Sequence, residues 1–254
     1  MSSTIWTRCG GSSNVRPLVL EPWRAVEAQH VVSTRKLVDS DEEQLTLEQL
    51  IERSKRPLPP DGEARGIHYL LVTPFRYPPL AHGSRFGTRH ERGIWYGARS
   101  RRTAFSEVAY YRLLFLEGTA AELPPIMTQL TLFRVPVRTT RGVDLTAAPF
   151  DAWREELASR TSYDATQSLG RSMRETGAEA FRYPAARDVL PGVGMGLFTP
   201  RAFAAMRPRR MQSWLSVTTR SSVELSRRDV FTSERWRFPR EEFLVGGALP
   251  APAP

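Results

Sequence analysis

Cysteine and lysine are among the rarest residues of this chain. Cys9 is the single cysteine, so an internal disulfide and a zinc site built from cysteines are both excluded. Lys36 and Lys55 are the only lysines among 36 basic residues, so arginine carries nearly all of the positive charge. Long apolar runs are missing as well. The opening "MSSTIWTRCGGSSNVRPLVL" has no signal-peptide core, and no segment reaches the length of a membrane span. We therefore expect a cytoplasmic protein that does not enter a membrane.

The formal net charge of +9 raises the question of a nucleic-acid partner. The arginines are scattered along the chain, however, and the densest run, residues 207–210 (RPRR), has few aromatic neighbours for base stacking. We therefore expect no direct binding of nucleic acid. A nucleic-acid-binding protein stays open as an alternative, which steeply salt-dependent binding would support.

Composition divides the chain into a main domain and flanking segments. The stretch "SDEEQLTLEQLIERSK" at residues 40–55 has Ser40 or Asp41 as its cap, an acidic first turn and leucines at helical spacing, so it predicts a helix. Small, Gly and Pro residues dominate both ends of the chain and suggest flexibility. We expect four segments: a flexible tail (1–20), a helical extension (21–65), the main domain (66–245) and a second flexible tail (246–254).

Within the main domain, short apolar runs alternate with helical patterns. The runs "GIWYGA", "MTQLTLFRVPV" and "GMGLFTP" predict strands, whereas residues 103–117, 150–159 and 163–176 predict helices. No internal repeat interrupts this mixture. It predicts an α+β fold in which a bent, mainly antiparallel sheet is flanked by helices.

Three residues stand at equal intervals in the stretch "GSRFGTRHERGIWYGARSRRTAFSEV". Arg85, Tyr96 and Glu107 are eleven residues apart (96 − 85 = 11 and 107 − 96 = 11). Strand alternation gives Tyr96 a defined direction, and Thr103 is the expected cap of a helix that carries Glu107 in its first turn. Because an unpaired buried carboxylate costs several kcal/mol, Glu107 must be paired, hydrogen-bonded or shifted in pKa. On the residues alone, a pair with Arg112 or with an arginine of a neighbouring strand, or a solvent-facing helix start, explains Glu107 better than a site does.

Further motifs follow these residues in a fixed order. The stretches that matter are "YLLVTPFRYPPLAHGSRFG", "GIWYGA", "TAFSEVAYYRL", "YDATQSLG", "YPAARD" and "GLFTPRAF". Together they resemble the RES domain family, the toxin halves of bacterial RES–Xre toxin–antitoxin pairs. The similarity runs from about residue 66 to residue 205, more than half of the chain. The resemblance implies a fold like the NAD-binding core of ADP-ribosyltransferases and an activity that consumes NAD.

The same resemblance implies catalytic roles for the three spaced residues. Arg85 matches the arginine of the family's Gly-rich motif, and its planar guanidinium suits a pyrophosphate. Tyr96 matches the strand tyrosine, on whose ring nicotinamide can stack. Glu107 matches the helix glutamate, which can hold the ribose and stabilise the positive charge that develops as the glycosidic bond opens. NAD is then a substrate, and neither a resident cofactor nor a metal is expected.

Other polar residues near these motifs are further candidates for binding NAD. Arg76, in "PFRYPP", is a second candidate phosphate contact, with a surface ion pair as the alternative. Gln167 and Ser168 are candidate polar groups of the NAD cleft, with an exposed helix surface as the alternative. Arg89 and Arg92 could join Arg76 in a second anion site, which phosphate-dependent cleavage would need.

One position departs from the family pattern. The family serine of a "YPSxRD"-like motif is replaced by Ala185 in "YPAARD". Loss of one hydrogen bond to a charged group costs about 1.5–3 kcal/mol, which slows turnover about tenfold to a hundredfold. Ala185 therefore indicates a weakened enzyme, compensated by Ser84, Ser168 or a backbone amide, or else a module that binds NAD or protein without cleavage. Arg187 and Asp188 in the same motif are expected to form a structural ion pair.

The resemblance also implies partners. The acceptor of the ADP-ribosyl group is left open between water, inorganic phosphate and a side group of a protein or nucleotide. An Xre-type helix-turn-helix antitoxin is expected to plug the cleft with its C-terminal region and to carry the contacts to DNA. A homodimer within a larger toxin–antitoxin assembly is expected as well.

Overall fold

The computed structural model describes residues 4–28, 40, 42–43, 46–47, 50, 62–77, 79, 81–228 and 233–251. Most of the extension predicted over residues 21–65 lies outside this part of the chain. Where it is described, Ser40 Oγ accepts a hydrogen bond from the Glu43 amide (3.2 Å), and the Glu43 carboxylate accepts one from the Ser40 amide (3.3 Å). These reciprocal bonds form a capping box, which agrees with the helix start predicted at Ser40.

Ten strands and five α-helices have defined bounds in the described part of the chain, which also contains four 3-10 turns and helical residues at 42–43, 46–47 and 50. The strands are β1 (Arg16–Leu20), β2 (Trp23–Glu27), β3 (Trp95–Ala98), β4 (Ile126–Arg134), β5 (Val137–Asp144), β6 (Ala180–Pro184), β7 (Val193–Leu197), β8 (Arg209–Thr218), β9 (Ser222–Arg228) and β10 (Ser233–Pro239). The helices are α1 (Ile5–Arg8), α2 (Tyr69–Arg76), α3 (Arg101–Glu117), α4 (Arg154–Leu157) and α5 (Asp164–Glu175). The helix predicted over residues 150–159 is a 3-10 turn, Phe150–Trp153, followed by α4.

The strands form one sheet in the order β1-β5-β6-β7-β3-β2-β4-β8-β9-β10. Every neighbouring pair is antiparallel except β5 and β6, which are parallel. Flanking helices complete an α+β fold with a mostly antiparallel sheet, which confirms the predicted fold class. Among the described residues, none of the helices has both the length and the apolar character that crossing a membrane requires.

Helix α3 covers one half of the sheet with its apolar side. Phe105 is fully buried and packs edge-on against Trp214 of β8, with ring centroids 4.8 Å apart. The Ser100 side chain accepts a hydrogen bond from the Thr103 amide (3.0 Å), so Ser100 caps the helix and the predicted cap at Thr103 is wrong. Glu107 therefore lies in the second turn and not the first, where the field of the helix N-terminus is weaker.

Strand β3 sends its side chains in alternate directions, as predicted. Trp95 is buried in the cluster that holds Leu71 and Phe75 of α2. The next residue, Tyr96, packs against the separate cluster that contains Phe86. The strand thus ties α2 to the sheet with one face and holds Tyr96 over the other.

Residues 4–20 belong to the fold and are not the flexible tail that the sequence predicts. Trp6 is 7% exposed and stacks on Phe150, with ring centroids 6.0 Å apart. Strand β1 pairs with β5 at the edge of the sheet. Gly11 permits a close approach, because a Cβ there would lie 2.1 Å from the Trp6 ring. This glycine, which suggested flexibility, is therefore a packing residue.

Gly11→Ala is expected to lower the free energy of unfolding by about 1–3 kcal/mol, because the added carbon must displace the buried Trp6 ring. Denaturant unfolding of purified protein measures the change. Gly118→Ala is the matched control: it adds the same carbon at a φ of −70°, with its nearest contact at 3.4 Å. Equal stability of Gly11→Ala and the unsubstituted protein would contradict the packed N-terminus.

The described part of the predicted C-terminal tail, residues 246–251, is also folded. Gly246 and Gly247 adopt φ angles of +59° and +85° and turn the chain, so that Val245 and Ala248 form a bridge. Leu249 then packs against the cluster beneath α3. Two glycines in left-handed conformations thus make a tight turn here and not a loose end.

Candidate active site

The sheet opens between β2 and β3. These strands share one register pair, Trp23 with Ala98, whereas β2 pairs with β4 along its whole length. Beyond that pair, the Arg24 guanidinium spans the gap and donates a hydrogen bond to the Tyr96 carbonyl. Burial lowers the pKa of Arg24 to about 10, and its Nε is buried with no hydrogen-bond partner in the described part of the chain. The opening is therefore lined by a desolvated cation.

A cavity of about 1010 Å³ occupies this opening. Helices α2 and α3 supply side walls, and β2 and β3 supply part of the floor. Three residues predicted for the site, Arg85, Tyr96 and Glu107, all line the cavity although they lie on a loop, a strand and a helix. Other lining residues with polar or aromatic side chains include Arg24, Ser84, Tyr163 and Tyr183.

A tight loop at residues 83–87 carries Arg85. The Ser84 amide donates to the Gly87 carbonyl (2.7 Å), and Gly83 has a φ of +74° at which a Cβ would lie 2.5 Å from that same carbonyl oxygen. Gln167 Nε2 donates to the carbonyls of His82 (3.2 Å) and Ser84 (3.1 Å). Gln167, predicted to contact NAD, thus fixes the loop and does not line the cavity.

Arg85 is held rigidly although it lines the cavity. Its side chain is 7% exposed, Nη1 donates to the Ser159 carbonyl (2.7 Å), and the guanidinium lies 4.8 Å from the Tyr163 ring centroid. Its other guanidinium nitrogens have no hydrogen-bond partner among the described residues. A planar cation with free donors at a cavity wall suits a phosphate-bearing ligand.

Tyr96 uses its hydroxyl to hold the loop. The oxygen accepts a hydrogen bond from the Phe86 amide (3.1 Å) and lies 3.0 Å from Ser84 Oγ. Burial raises the pKa of Tyr96 to about 12, so the phenol stays neutral. The ring lies edge-on to Tyr183, with centroids 6.3 Å apart. Tyr96 therefore couples the position of the Arg85 loop to the cavity floor.

Tyr96→Phe is expected to lower the free energy of unfolding by about 1–3 kcal/mol, because the buried Phe86 amide loses its acceptor. Chemical denaturation checks this value. Tyr69→Phe removes the hydroxyl of an exposed tyrosine and should leave stability unchanged. If both variants unfold like the unsubstituted protein, the Tyr96 hydroxyl does not anchor the loop.

Glu107 is half-buried on the cavity wall, and its carboxylate forms no hydrogen bond or ion pair with the described residues. Burial raises the pKa of Glu107, while the guanidinium groups of Arg85 and Arg187 oppose that rise. The alternative of a pair between Glu107 and Arg112 is wrong, because Arg112 bonds to Glu27 (2.8 Å) and Thr128 (3.0 Å). Glu107 therefore keeps its acceptor capacity for a molecule in the cavity.

The arrangement can now be compared with known families. The family model of the RES domain matches residues 62–218, more than half of the 254 residues. The chain belongs to the RES domain family. The matched range contains Arg85, Tyr96 and Glu107, and it confirms the resemblance that the sequence motifs indicate. A search of curated proteins finds no match to the chain.

Ala185, the position where the sequence resemblance implies a serine, is 9% exposed and does not line the cavity. Its amide donates to the Gly192 carbonyl (3.0 Å), and a Cβ on Gly192 would lie 3.2 Å from the Ala185 methyl group. Of the two serines considered as replacements, Ser84 lines the cavity, whereas Ser168 is exposed on α5. Ser84 therefore supplies a hydroxyl beside Tyr96, although Ala185 lacks one.

Arg187 and Asp188 do not form the predicted ion pair with each other. Asp188 accepts hydrogen bonds from Arg102 Nε (3.0 Å) and Thr103 Oγ1 (2.8 Å), which ties the motif to the start of α3. Arg187 is 1% exposed and lies 3.7 Å from the Tyr110 ring centroid. This RES domain thus places a second buried guanidinium behind Glu107.

The other predicted anion contacts lie away from the cavity. Arg76 ends α2 half-buried and does not line the cavity. Arg92 lies 3.5 Å from the Glu63 carboxylate, and Arg89 donates to His90 (3.0 Å). None of these three arginines therefore reaches the cavity wall that Glu107 lines.

Three residues of the site escaped the sequence reasoning: Arg24, Tyr163 and Tyr183. Tyr163 and Tyr183 stand in the motifs "YDATQSLG" and "YPAARD", where their aromatic character was the available signal, and Arg187 was expected only as an ion-pair partner. Arg24 lies on β2, outside the matched range of the RES domain. Only the pairing of β2 beside β3 brings it to Tyr96, and no sequence pattern predicts that pairing.

Proposed function

We propose that this RES domain protein binds NAD in the cavity and cleaves the bond between nicotinamide and ribose. The observation that carries the proposal is Glu107: its carboxylate lines the cavity, has no partner among the described residues, and has Arg85 and Arg187 as neighbouring cations. Such a group can stabilise positive charge that appears only when the bond opens, which is the kind of interaction that accelerates a reaction.

Binding of NAD would use the polar and aromatic groups around Glu107. The free nitrogens of Arg85 suit the pyrophosphate. The guanidinium is already anchored to Ser159 and Tyr163, which limits the conformational entropy lost on binding. Tyr96 and Tyr183 present aromatic surface to the cavity for the nicotinamide ring. Arg24 adds a desolvated cation to the lining of the cavity.

The reaction then needs little proton transfer from the protein. The bond between ribose C1 and the nicotinamide nitrogen breaks, and nicotinamide leaves with the electron pair, which neutralises its pyridinium charge. The positive charge moves to the ribose, where the Glu107 carboxylate stabilises it. An acceptor oxygen then forms a bond to C1 and releases a proton.

The acceptor is either water or inorganic phosphate in this proposal. A phosphate acceptor requires a cation beside the ribose. Because Arg76, Arg89 and Arg92 lie off the cavity wall, the candidates are cavity-lining arginines, among which Arg24 is a desolvated cation bonded to the Tyr96 carbonyl. Arg24→Gln is therefore the substitution that tests phosphate dependence.

A second candidate is a module that binds NAD or a protein without cleavage, which Ala185 would explain. The position of Ala185 away from the cavity weakens this alternative, because a hydroxyl there would not face Glu107 directly. Ser84 already supplies a hydroxyl at the cavity wall. We therefore favour the enzyme.

The proposal includes a biological setting that rests on family membership. NAD depletion would arrest growth, and an Xre-type helix-turn-helix antitoxin would neutralise the protein by entering the cleft. A homodimer within the toxin–antitoxin assembly is proposed on the same ground. Expression of the chain should arrest growth, and expression of Glu107→Gln should not.

The deciding experiment incubates purified protein with NAD, with and without inorganic phosphate, and separates the products by chromatography. Release of nicotinamide that Glu107→Gln lacks supports the enzyme. ADP-ribose identifies water as the acceptor, and ADP-ribose 1''-phosphate identifies phosphate. Binding of NAD without any release of nicotinamide would instead support the binding module.

A further inference from the structure

The densest basic run of the sequence, residues 207–210 (RPRR), meets a further arginine in the folded chain. The His68 amide donates a hydrogen bond to the Met206 carbonyl (2.8 Å), and a Cβ on Gly66 would lie 3.3 Å from the terminal carbon of Met206. These contacts place Arg65 beside the basic run, although the two are far apart in the sequence. We call four residues the basic patch: Arg65, Arg207, Arg209 and Arg210.

The positive charge of the basic patch is not compensated within the described part of the chain. Its four arginines are exposed, and none of them forms an ion pair or a side-chain hydrogen bond with the described residues. Two acidic residues of this region are already paired. Glu63 binds Arg201 (2.5 Å), and Glu21 binds Arg134 (3.0 Å), the register partner of Arg209. The patch therefore presents free guanidinium groups to the solvent.

The backbone at Arg210 is strained. Its φ is +50°, and among the described residues no other non-glycine residue has a positive φ. The register of β4 and β8 shifts here, since Leu132 pairs with Gln212 whereas Arg134 pairs with Arg209, so Arg210 lies in a β-bulge. Glycine would adopt this conformation without strain. Strain of this kind occurs mainly where a side chain has a function, which makes the Arg210 guanidinium the feature to explain.

The chemistry of the basic patch favours phosphate groups as ligands. Planar guanidinium groups with free nitrogens match the oxygens of phosphate, and the formal net charge of +9 favours the approach of a polyanion. Residues 206–211 (MRPRRM) contain no aromatic side chain on which an unpaired base could stack. The patch therefore suits a nucleic acid whose bases are paired and whose phosphates are exposed.

We propose that the basic patch binds the phosphate backbone of duplex DNA without regard to base sequence. The sequence led us to expect no direct binding of nucleic acid, because the arginines are scattered along the chain. The fold brings four of them to one place and leaves them without partners. None of the four lines the cavity that contains Glu107, so this inference does not depend on the proposed cleavage of NAD.

Fluorescence anisotropy of a labelled DNA duplex of mixed sequence, measured over a series of salt concentrations, tests the proposal. Four phosphate contacts predict a slope of about −3.6 for log K against log salt, so affinity should fall about a hundredfold between about 50 mM and 200 mM salt. Arg207→Gln and Arg209→Gln should each weaken binding and make the slope shallower by about 0.9. Arg154→Gln is the matched control, because Arg154 is an exposed arginine of α4 outside the patch.

Arg210→Gly separates binding from folding. Glycine removes the charge and relieves the strained φ, so this variant should bind the duplex more weakly while its melting temperature stays equal to that of the unsubstituted protein or rises. Glu107→Gln should bind the duplex as the unsubstituted protein does, whatever its activity on NAD. Three results would each overturn the proposal: no binding of the duplex at low salt, equal losses for Arg154→Gln and the patch variants, or tighter binding of poly-glutamate than of the duplex.

Discussion

Glu107→Gln is expected to slow NAD cleavage by about a hundredfold to a thousandfold, the loss that follows removal of one preorganised electrostatic group from an active site. The amide fills the same space, so the cavity and its contacts remain. What is lost is the negative charge opposite the developing positive charge of the ribose. Because that charge acts only in the transition state, kcat should fall while the KM for NAD changes little.

The same substitution is expected to stabilise the folded protein at neutral pH. Burial raises the pKa of Glu107 above its ordinary value of 4.5, so the folded chain binds this proton more readily than the unfolded chain. For such a group, stability falls as pH rises from the unfolded pKa through the folded pKa. Glutamine does not ionise, so its advantage should be absent below about pH 4 and complete above the raised pKa of Glu107.

Thermal unfolding across pH and kinetic assays on the same preparations measure both effects. Glu122→Gln is the matched control, because Glu122 is an exposed glutamate outside the cavity. It should match the unsubstituted protein in melting temperature and rate. A Glu107→Gln variant that loses activity and also melts lower would indicate a structural role, and the catalytic assignment would fail.

Local patterns predicted the elements that carry the site. The motif around Arg85, the alternating strand at Tyr96 and the apolar helix at Glu107 are each encoded within a few residues, and the structure brings all three to one cavity. The cap of α3 was placed one turn late, because Thr103 and Ser100 both fit a helix start and only the observed bond to the Thr103 amide distinguishes them. Periodicity thus predicts whether a segment is a helix or a strand more reliably than it predicts the residue at which the element begins.

Long-range contacts explain what the sequence could not show. Arg24 and Tyr96 are 72 positions apart, and their contact depends on the order of strands in the sheet. The segment around Gly11 reads as flexible, because composition does not show that Trp6 fills the space that the glycine leaves. Such pairings arise from tertiary packing, which overrides local propensity.

As the pH is lowered, the Arg187→Met variant is expected to lose its NAD-cleaving activity at a higher pH than the unsubstituted protein does. Burial raises the pKa of Glu107, and the guanidinium groups of Arg85 and Arg187 hold that rise in check. Removing Arg187 leaves the ionised carboxylate less favoured, so the pKa of Glu107 rises further and a smaller fraction is charged at each pH. The acid limb of the rate profile should therefore move upward, with about a tenfold loss of rate in slightly acidic buffer.

Arg187 lies where burying a guanidinium is costly to folding. Arg187 donates to the Arg160 carbonyl (2.9 Å), and its Nη2 is buried without a partner in the part of the chain that the structure describes. Burial and the Arg187 charge both lower the pKa of Arg160, so the two cations disfavour each other. A core selected for stability alone gains little from such a pair.

Two further variants separate charge from packing. Arg187→Lys retains the positive charge and should keep the acid limb close to that of the unsubstituted protein. Arg160→Met removes the neighbouring cation, which does not act on Glu107, and should leave the limb in place while lowering stability. If Arg187→Met shifts the limb no more than Arg160→Met does, Arg187 only packs against Tyr110. If only Arg187→Met shifts the acid limb, the Arg187 guanidinium keeps Glu107 charged. The costly burial of Arg187 beside Arg160 then has a catalytic reason.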